Sequence, residues 1–155
     1  MPDVTRPIRR LADRHRRVAI DSNVLIYLLD DHPTLAEPAA ALVDAVADGV
    51  LDGIVASVGV TETLVGAARA DDGALFELAA ATIQDLGLDV VTLDAEAAAE
   101  AAWIRGRTGA SLPDAVHLAC AARAGATAFV TNDRRLRPDR RLELVLLADL
   151  AEAAG

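Results

Sequence analysis

The stretch VAIDSNVLIYLLDD at residues 18–31 decides the fold. Val18, Ala19 and Ile20 make a short apolar run that stops on Asp21; Ser22 and Asn23 follow, and an apolar run resumes at Val24. A run of this kind reads as a buried strand leading into further structure. A carboxylate at the end of a buried strand is costly without a partner. Asp21 is therefore either a helix cap at the strand's end or part of a site that needs negative charge.

Working outward, four more β-branched runs read as strands: GIVAS at 53–57, LDVVTL at 88–93, TAFVTN at 127–132 and LELVLL at 142–147. Alanine- and leucine-rich stretches with helical spacing lie between them. Their starts are legible. Thr34 with Glu37 makes a capping-box pattern, and Ser111 with Asp114 makes another. Ser57, Asp71 or Asp72, and Asp94 are candidate caps. Pro38 and Pro113 fall in first turns, where proline is tolerated. The order is strand, helices, strand, helices, strand, two helices, two strands. That alternation predicts an α/β fold with a parallel sheet covered on both faces. Sites in such sheets form beyond the carboxyl ends of the strands, near a switch in strand order.

At 155 residues the chain fits one domain. A domain of this size buries about 68–70% of its unfolded surface and needs no staples. The single cysteine, Cys120, excludes an intrachain disulfide and a Cys-based zinc site. No uncharged apolar stretch of about 18 residues is present, so no membrane span is expected. No signal-peptide pattern is read at the N-terminus either, and the expected location is the cytoplasm. The formal charge is −9, and all 15 basic residues are arginine. Overall acidity argues against nonspecific nucleic-acid binding. Yet six arginines fall in residues 6–17 and five in RRLRPDRR at 134–141. These are either solvated surface or basic edges that meet a polyanion. The first group lies in an N-terminal extension, residues 1–17, ahead of a domain spanning 18–155.

Four acids stand out by position. Asp21 ends the first strand, Glu62 lies in the helix after the second, Asp114 opens the helix before the fourth, and Asp133 directly follows the fourth. Singly, each has a structural reading: a cap, a solvated helix residue, a group favoured by the helix dipole, a turn residue. Together they suggest a cation site, since converging carboxylates repel one another. Hard divalent ions take oxygen ligands and keep several waters, so one or two direct carboxylates suffice. Such an ion suits phosphodiester hydrolysis.

The ordered set VAIDSNVLIYLLD, ASVGVTETLVGA, GASLPDAVHLACAARAGATAFVTND and LELVLL resembles a PIN-domain ribonuclease, and most closely the VapC-like toxins of type II toxin–antitoxin systems. The resemblance covers roughly residues 18–150. It implies a three-layer α/β/α domain with a central parallel sheet of four to five strands. It implies a metal-dependent endoribonuclease cutting single-stranded RNA with Mg²⁺ or Mn²⁺. Carried over by position, the catalytic acids are Asp21, Glu62, Asp114 and Asp133. Asp21, Asp114 and Asp133 are the expected metal ligands, and Ser22, Asn23 and Thr131 orient them. An antitoxin partner and a homodimer are implied as well. The arginine-rich start and the acidic body depart from the usual pattern of that branch.

His117 lies three residues after Asp114 and can share its helix face; a packed helix-edge histidine is its alternative. Arg105 and Arg107 read as phosphate contacts or a solvated helix end. GRTGAS is not a P-loop, because the spacing is wrong and lysine is missing. Neither G-x-G-x-x-G nor G-x-S-x-G occurs. Four dispersed large aromatics, Tyr27, Phe76, Trp103 and Phe129, build no extensive stacking platform. Two rivals remain: a phospho-receiver-like signalling domain, which the absence of lysine disfavours, and a PIN-like domain that binds RNA or a partner without cleaving.

Overall fold

Five short strands, Arg17–Ile20 (β1), Asp52–Ala56 (β2), Asp89–Val91 (β3), Ala128–Thr131 (β4) and Glu143–Leu146 (β5), pair in parallel in the order β3-β2-β1-β4-β5. The computed structural model describes residues 4–138 and 140–152; the outermost residues of the two predicted segments, 1–3 and 153–155, and Asp139 of the second arginine run, lie outside them. Seven helices accompany the sheet among the described residues: Arg6–Arg14 (α1), Ser22–Leu29 (α2), Ala36–Ala47 (α3), Ser57–Arg69 (α4), Gly73–Asp85 (α5), Ala95–Thr108 (α6) and Leu112–Arg123 (α7). A 3-10 turn, Leu147–Leu150, closes the fold. No described helix is long and apolar enough to cross a membrane.

The alternation of side chains along a strand divides the core in two. Val18 and Ile20 of β1 and Val130 of β4 join Leu25, Leu42 and Val46 on one face. Ala19, Ile54 and Phe129 join Ile104, Leu118 and Leu142 on the other. Both faces are dry because helices cover both, as the apolar strand runs predict. Strand order switches between β1 and β4: from β1 the chain works outward to β3, then returns to β1's other side with β4. The carboxyl ends of β1 and β4 therefore flank a crevice. The Asp21 amide donates to the Val130 carbonyl at 2.9 Å, which carries the β1–β4 ladder up to the acid itself.

Several local expectations change. The N-terminal segment supplies α1, whose Ile8 and Leu11 are fully buried in the first core. Two of its arginines are tied down, Arg14 to Glu143 at 3.1 Å and Arg17 to Asp52 at 2.8 Å. Thr34 does not cap α3. The His32 ring instead takes the Thr34 and Leu35 amides on Nδ1, at 3.3 and 3.2 Å, so the chain turns earlier than the Thr34–Glu37 pattern suggests. Ser57 begins α4 itself, and Ala56 occupies the cap position. Asp72, Asp94 and Ser111 do cap, accepting the amides of Leu75, Ala97 and Asp114.

Candidate active site

Asp21 stands at the cap position of α2, yet its carboxylate makes no capping hydrogen bond. It is 6% exposed, and its shortest hydrogen bond comes from a side chain. The Thr131 hydroxyl donates to Oδ2 at 2.7 Å. Weaker contacts at 3.4 Å come from Ser22 Oγ to Oδ1 and from Asn23 Nδ2 to Oδ2. Thr131 Oγ1 also accepts from Asn23 Nδ2 at 3.2 Å and from the Asp133 amide at 3.1 Å. One buried hydroxyl thus ties the end of β4 to the end of β1. Burial pushes the Asp21 carboxyl above its ordinary value; His117 and the Thr131 hydroxyl oppose that, and the negative charge of Asp114 adds to it.

Glu62 reaches the same place from α4. His117 Nε2, on α7, lies 2.7 Å from Glu62 Oε1 and 3.7 Å from Asp21 Oδ1. An ionised carboxylate only accepts, so the ring nitrogen is the donor. That hydrogen bond holds the Glu62 carboxyl below its ordinary value despite partial burial, with a smaller pull from Ser22. The Asp114 amide donates to Ser111 Oγ at 3.2 Å, closing half of the expected capping box. The return bond, from the Ser111 amide to the Asp114 carboxylate, is absent among the described residues, which leaves that carboxylate free of the cap.

Asp114 and Asp133 line one cavity of about 360 Å³, with Ser111, Arg135 and Arg137 also in its wall. Asp133 Oδ1 accepts the Arg135 amide at 3.0 Å and Arg135 Nε at 3.3 Å. The Arg135 amide bond pulls the Asp133 carboxyl below its ordinary value, outweighing slight burial. Of the other candidates, Arg105 donates to the Ala110 carbonyl, and Arg107 stacks on the exposed Trp103 ring at 5.2 Å.

Asp21 and Glu62 thus meet at His117, Asp114 is near enough to act on Asp21, and Asp133 shares a cavity with Asp114. The described residues contain no group of three Asp, Glu, His or Cys side chains close enough to enclose an ion together. The donor set still fits a hydrated hard cation, which needs only one or two carboxylates. Asp21 is desolvated and feels the negative charge of Asp114, and Asn23 Oδ1 is buried without a hydrogen-bond partner, an acceptor that a hydrated ion's water can satisfy. His117 is the residue that sequence reasoning undervalued. Its signal was the spacing to Asp114; its contact with Glu62 crosses 55 positions and needs the fold.

The family model described as PIN domain matches residues 18–138. The chain belongs to the PIN-domain family. Among solved structures, a toxin–antitoxin complex from Klebsiella pneumoniae aligns with a TM-score of 0.60 at 17% identity, over 81% of this chain and 95% of that one. VapBC2 from Rickettsia felis, bound to a DNA fragment from its promoter, aligns with a TM-score of 0.69 at 14% identity, over 84% and 98%. FitAB bound to a DNA fragment gives 0.66 at 20% identity, over 89% and 99%. At these identities the likeness establishes the fold. No curated protein sequence matches the chain significantly.

Proposed function

We propose that the chain is a divalent-metal-dependent endoribonuclease of single-stranded RNA, acting in the cytoplasm as the toxin of a toxin–antitoxin pair. The observation that carries this reading is Asp21: a desolvated strand-end carboxylate at the strand-order switch, held by Thr131 and making no capping hydrogen bond. Family membership adds nuclease chemistry to that geometry. A bound Mg²⁺ or Mn²⁺ supplies Lewis-acid polarisation of the phosphate and a more acidic water. Asp21 and Asp114 would hold the ion, with Asp133 completing its shell directly or through water. Glu62, kept ionised, would position the attacking water or hold a second ion. Ser22, Asn23 and Thr131 orient Asp21. Arg135 and Arg137, in the wall beside Asp114 and Asp133, would meet RNA phosphates.

An antitoxin partner is supported by an apolar groove of about 440 Å³ that begins at Glu62 and runs between Ile26 and Leu29 of α2 and Leu75 and Leu78 of α5. Leu78 is 65% exposed there, an apolar surface of the kind that marks an interaction site. One solved neighbour is itself a toxin–antitoxin complex. We also propose a homodimer, tested by sedimentation.

The deciding experiment is cleavage of single-stranded RNA with Mg²⁺, with Mn²⁺ and with EDTA, using wild type and Asp21→Asn. Metal-dependent cleavage that the variant lacks supports the reading. No cleavage by wild type under any condition overturns it in favour of a binding domain.

A further inference from the structure

We propose that His117 is a positioning residue: its imidazole pins Glu62 at a fixed place beside Asp21, and so sets where the Glu62 carboxylate stands relative to the reacting phosphate. The inference rests on the nuclease reading above and concerns how its one glutamate is held.

Glu62 needs such a device. It is a long side chain on α4, 35% exposed, with rotamer freedom to lose when ordered. Asp21, by contrast, is short, buried and held by its own neighbours. His117 Nε2 is the atom between them, 2.7 Å from Glu62 Oε1 and 3.7 Å from Asp21 Oδ1.

The ring itself is fixed. It is 2% exposed and lies edge-on to Phe129, with centroids 6.0 Å apart and planes at 68°. Its Cε1–Nε2 edge meets α4 at Gly59. A Cβ added there would come within 2.8 Å of His117 Cε1 and 2.9 Å of Val55 Cγ2, closer than such contacts occur. Gly59 and Glu62 are three residues apart, so one face of α4 presents both the space for the ring and the carboxylate that it binds. Packing alone does not explain an imidazole here. Nδ1 is buried with no hydrogen-bond partner, a penalty an apolar side chain of similar size would avoid.

Three substitutions in the full chain, with His117→Ala as a background that lacks the ring, test this. His117→Leu keeps bulk and removes the donor. His117→Gln keeps an N–H donor at similar reach. Gly59→Ala displaces the ring. With His117→Leu, kcat on single-stranded RNA should fall about 10–100-fold, the usual range for losing a group that orients a metal-site residue, with KM little changed because no substrate contact is lost. His117→Gln should recover most of that loss. In the metal-free protein, NMR of the Glu62 side chain should show it ordered in wild type and His117→Gln and mobile in His117→Leu. Gly59→Ala should lower kcat on its own but less than about twofold on a His117→Ala background, because the displaced ring is gone. If wild type cleaves and His117→Leu cleaves equally well, this inference fails alone. If His117→Gln loses as much as His117→Leu, with Glu62 still ordered in both, the role is structural and the inference fails. A wild type that never cleaves overturns the nuclease reading and this inference with it.

Discussion

Asp21 and Asp133 end neighbouring strands, β1 and β4, yet their surroundings push the two carboxyl groups in opposite directions. Asp21 is almost wholly buried and its carboxyl is raised, chiefly by desolvation. The Asp133 side chain is 30% exposed, and the Arg135 backbone and guanidinium lower its carboxyl. Position at a strand end therefore does not fix the chemistry; burial and the available donors do. The dry half gains most from a cation. The wet half already carries arginine, Arg135 and Arg137. Glu62 refines the contrast: it sits beside the dry half, but one strong donor, His117, reverses the effect of partial burial.

The largest expected effect tests whether the dry half is the metal's anchor. Asp21→Asn should reduce cleavage on the order of a thousandfold, the equivalent of losing several kcal/mol of electrostatic stabilisation at the transition state. Asp133→Asn should cost less, about 10–100-fold. Equal losses in side-by-side single-turnover assays would break the comparison.

Thr131→Val comes next, because it removes the one short hydrogen bond to Asp21 while keeping shape. Cleavage should fall about 10–100-fold, and the metal-free protein should lose about 1–3 kcal/mol at neutral pH. Urea unfolding at pH 7 checks the second figure. An unchanged midpoint would mean that Asp21 draws its support from elsewhere.

The pH dependence of metal-free stability has a definite sign. A carboxyl whose folded pKa lies above its unfolded value binds its proton more tightly when folded, so its ionisation destabilises the fold. For Asp21 the gain should appear as pH falls from neutral through its raised folded pKa, and should be complete below its ordinary value of 3.8. Glu62 acts oppositely. Its contribution is present above its ordinary 4.5 and is lost as pH falls through its lowered folded pKa. Thermal unfolding of wild type and Asp21→Asn in EDTA should therefore converge as pH drops from 7 toward 4, with the variant the more stable at pH 7 by about 0.5–2 kcal/mol. Parallel curves would show that Asp21 carries no desolvation penalty.

The smallest effect belongs to the wet half. Arg135→Ala and Arg137→Ala should each flatten the salt dependence of RNA binding by about 0.7 in log–log slope, the single-strand value for one phosphate contact. Filter binding across a salt series measures it, and unchanged slopes would place the RNA elsewhere. The N-terminal arginines are tested by substitution rather than by removing the segment, because Ile8 and Leu11 belong to the core.

Much of this protein follows from the sequence alone. The five strands and the helices after the first fall where β-branched runs, alanine-rich spacing and caps such as Asp72 and Asp94 put them, because those signals are local. The four acids were legible from their places relative to strand ends. The first helix was not: its arginines dominate the composition, and only Ile8 and Leu11 are fully buried. Strand order, and so the crevice between β1 and β4, comes from tertiary pairing. So does the difference between a dry carboxylate and a wet one. Thr131 reaches Asp21 across 110 positions and His117 reaches Glu62 across 55. A carboxylate's protonation depends on what is packed within a few ångströms of it, and residues so far apart in the chain become neighbours only when the sheet closes.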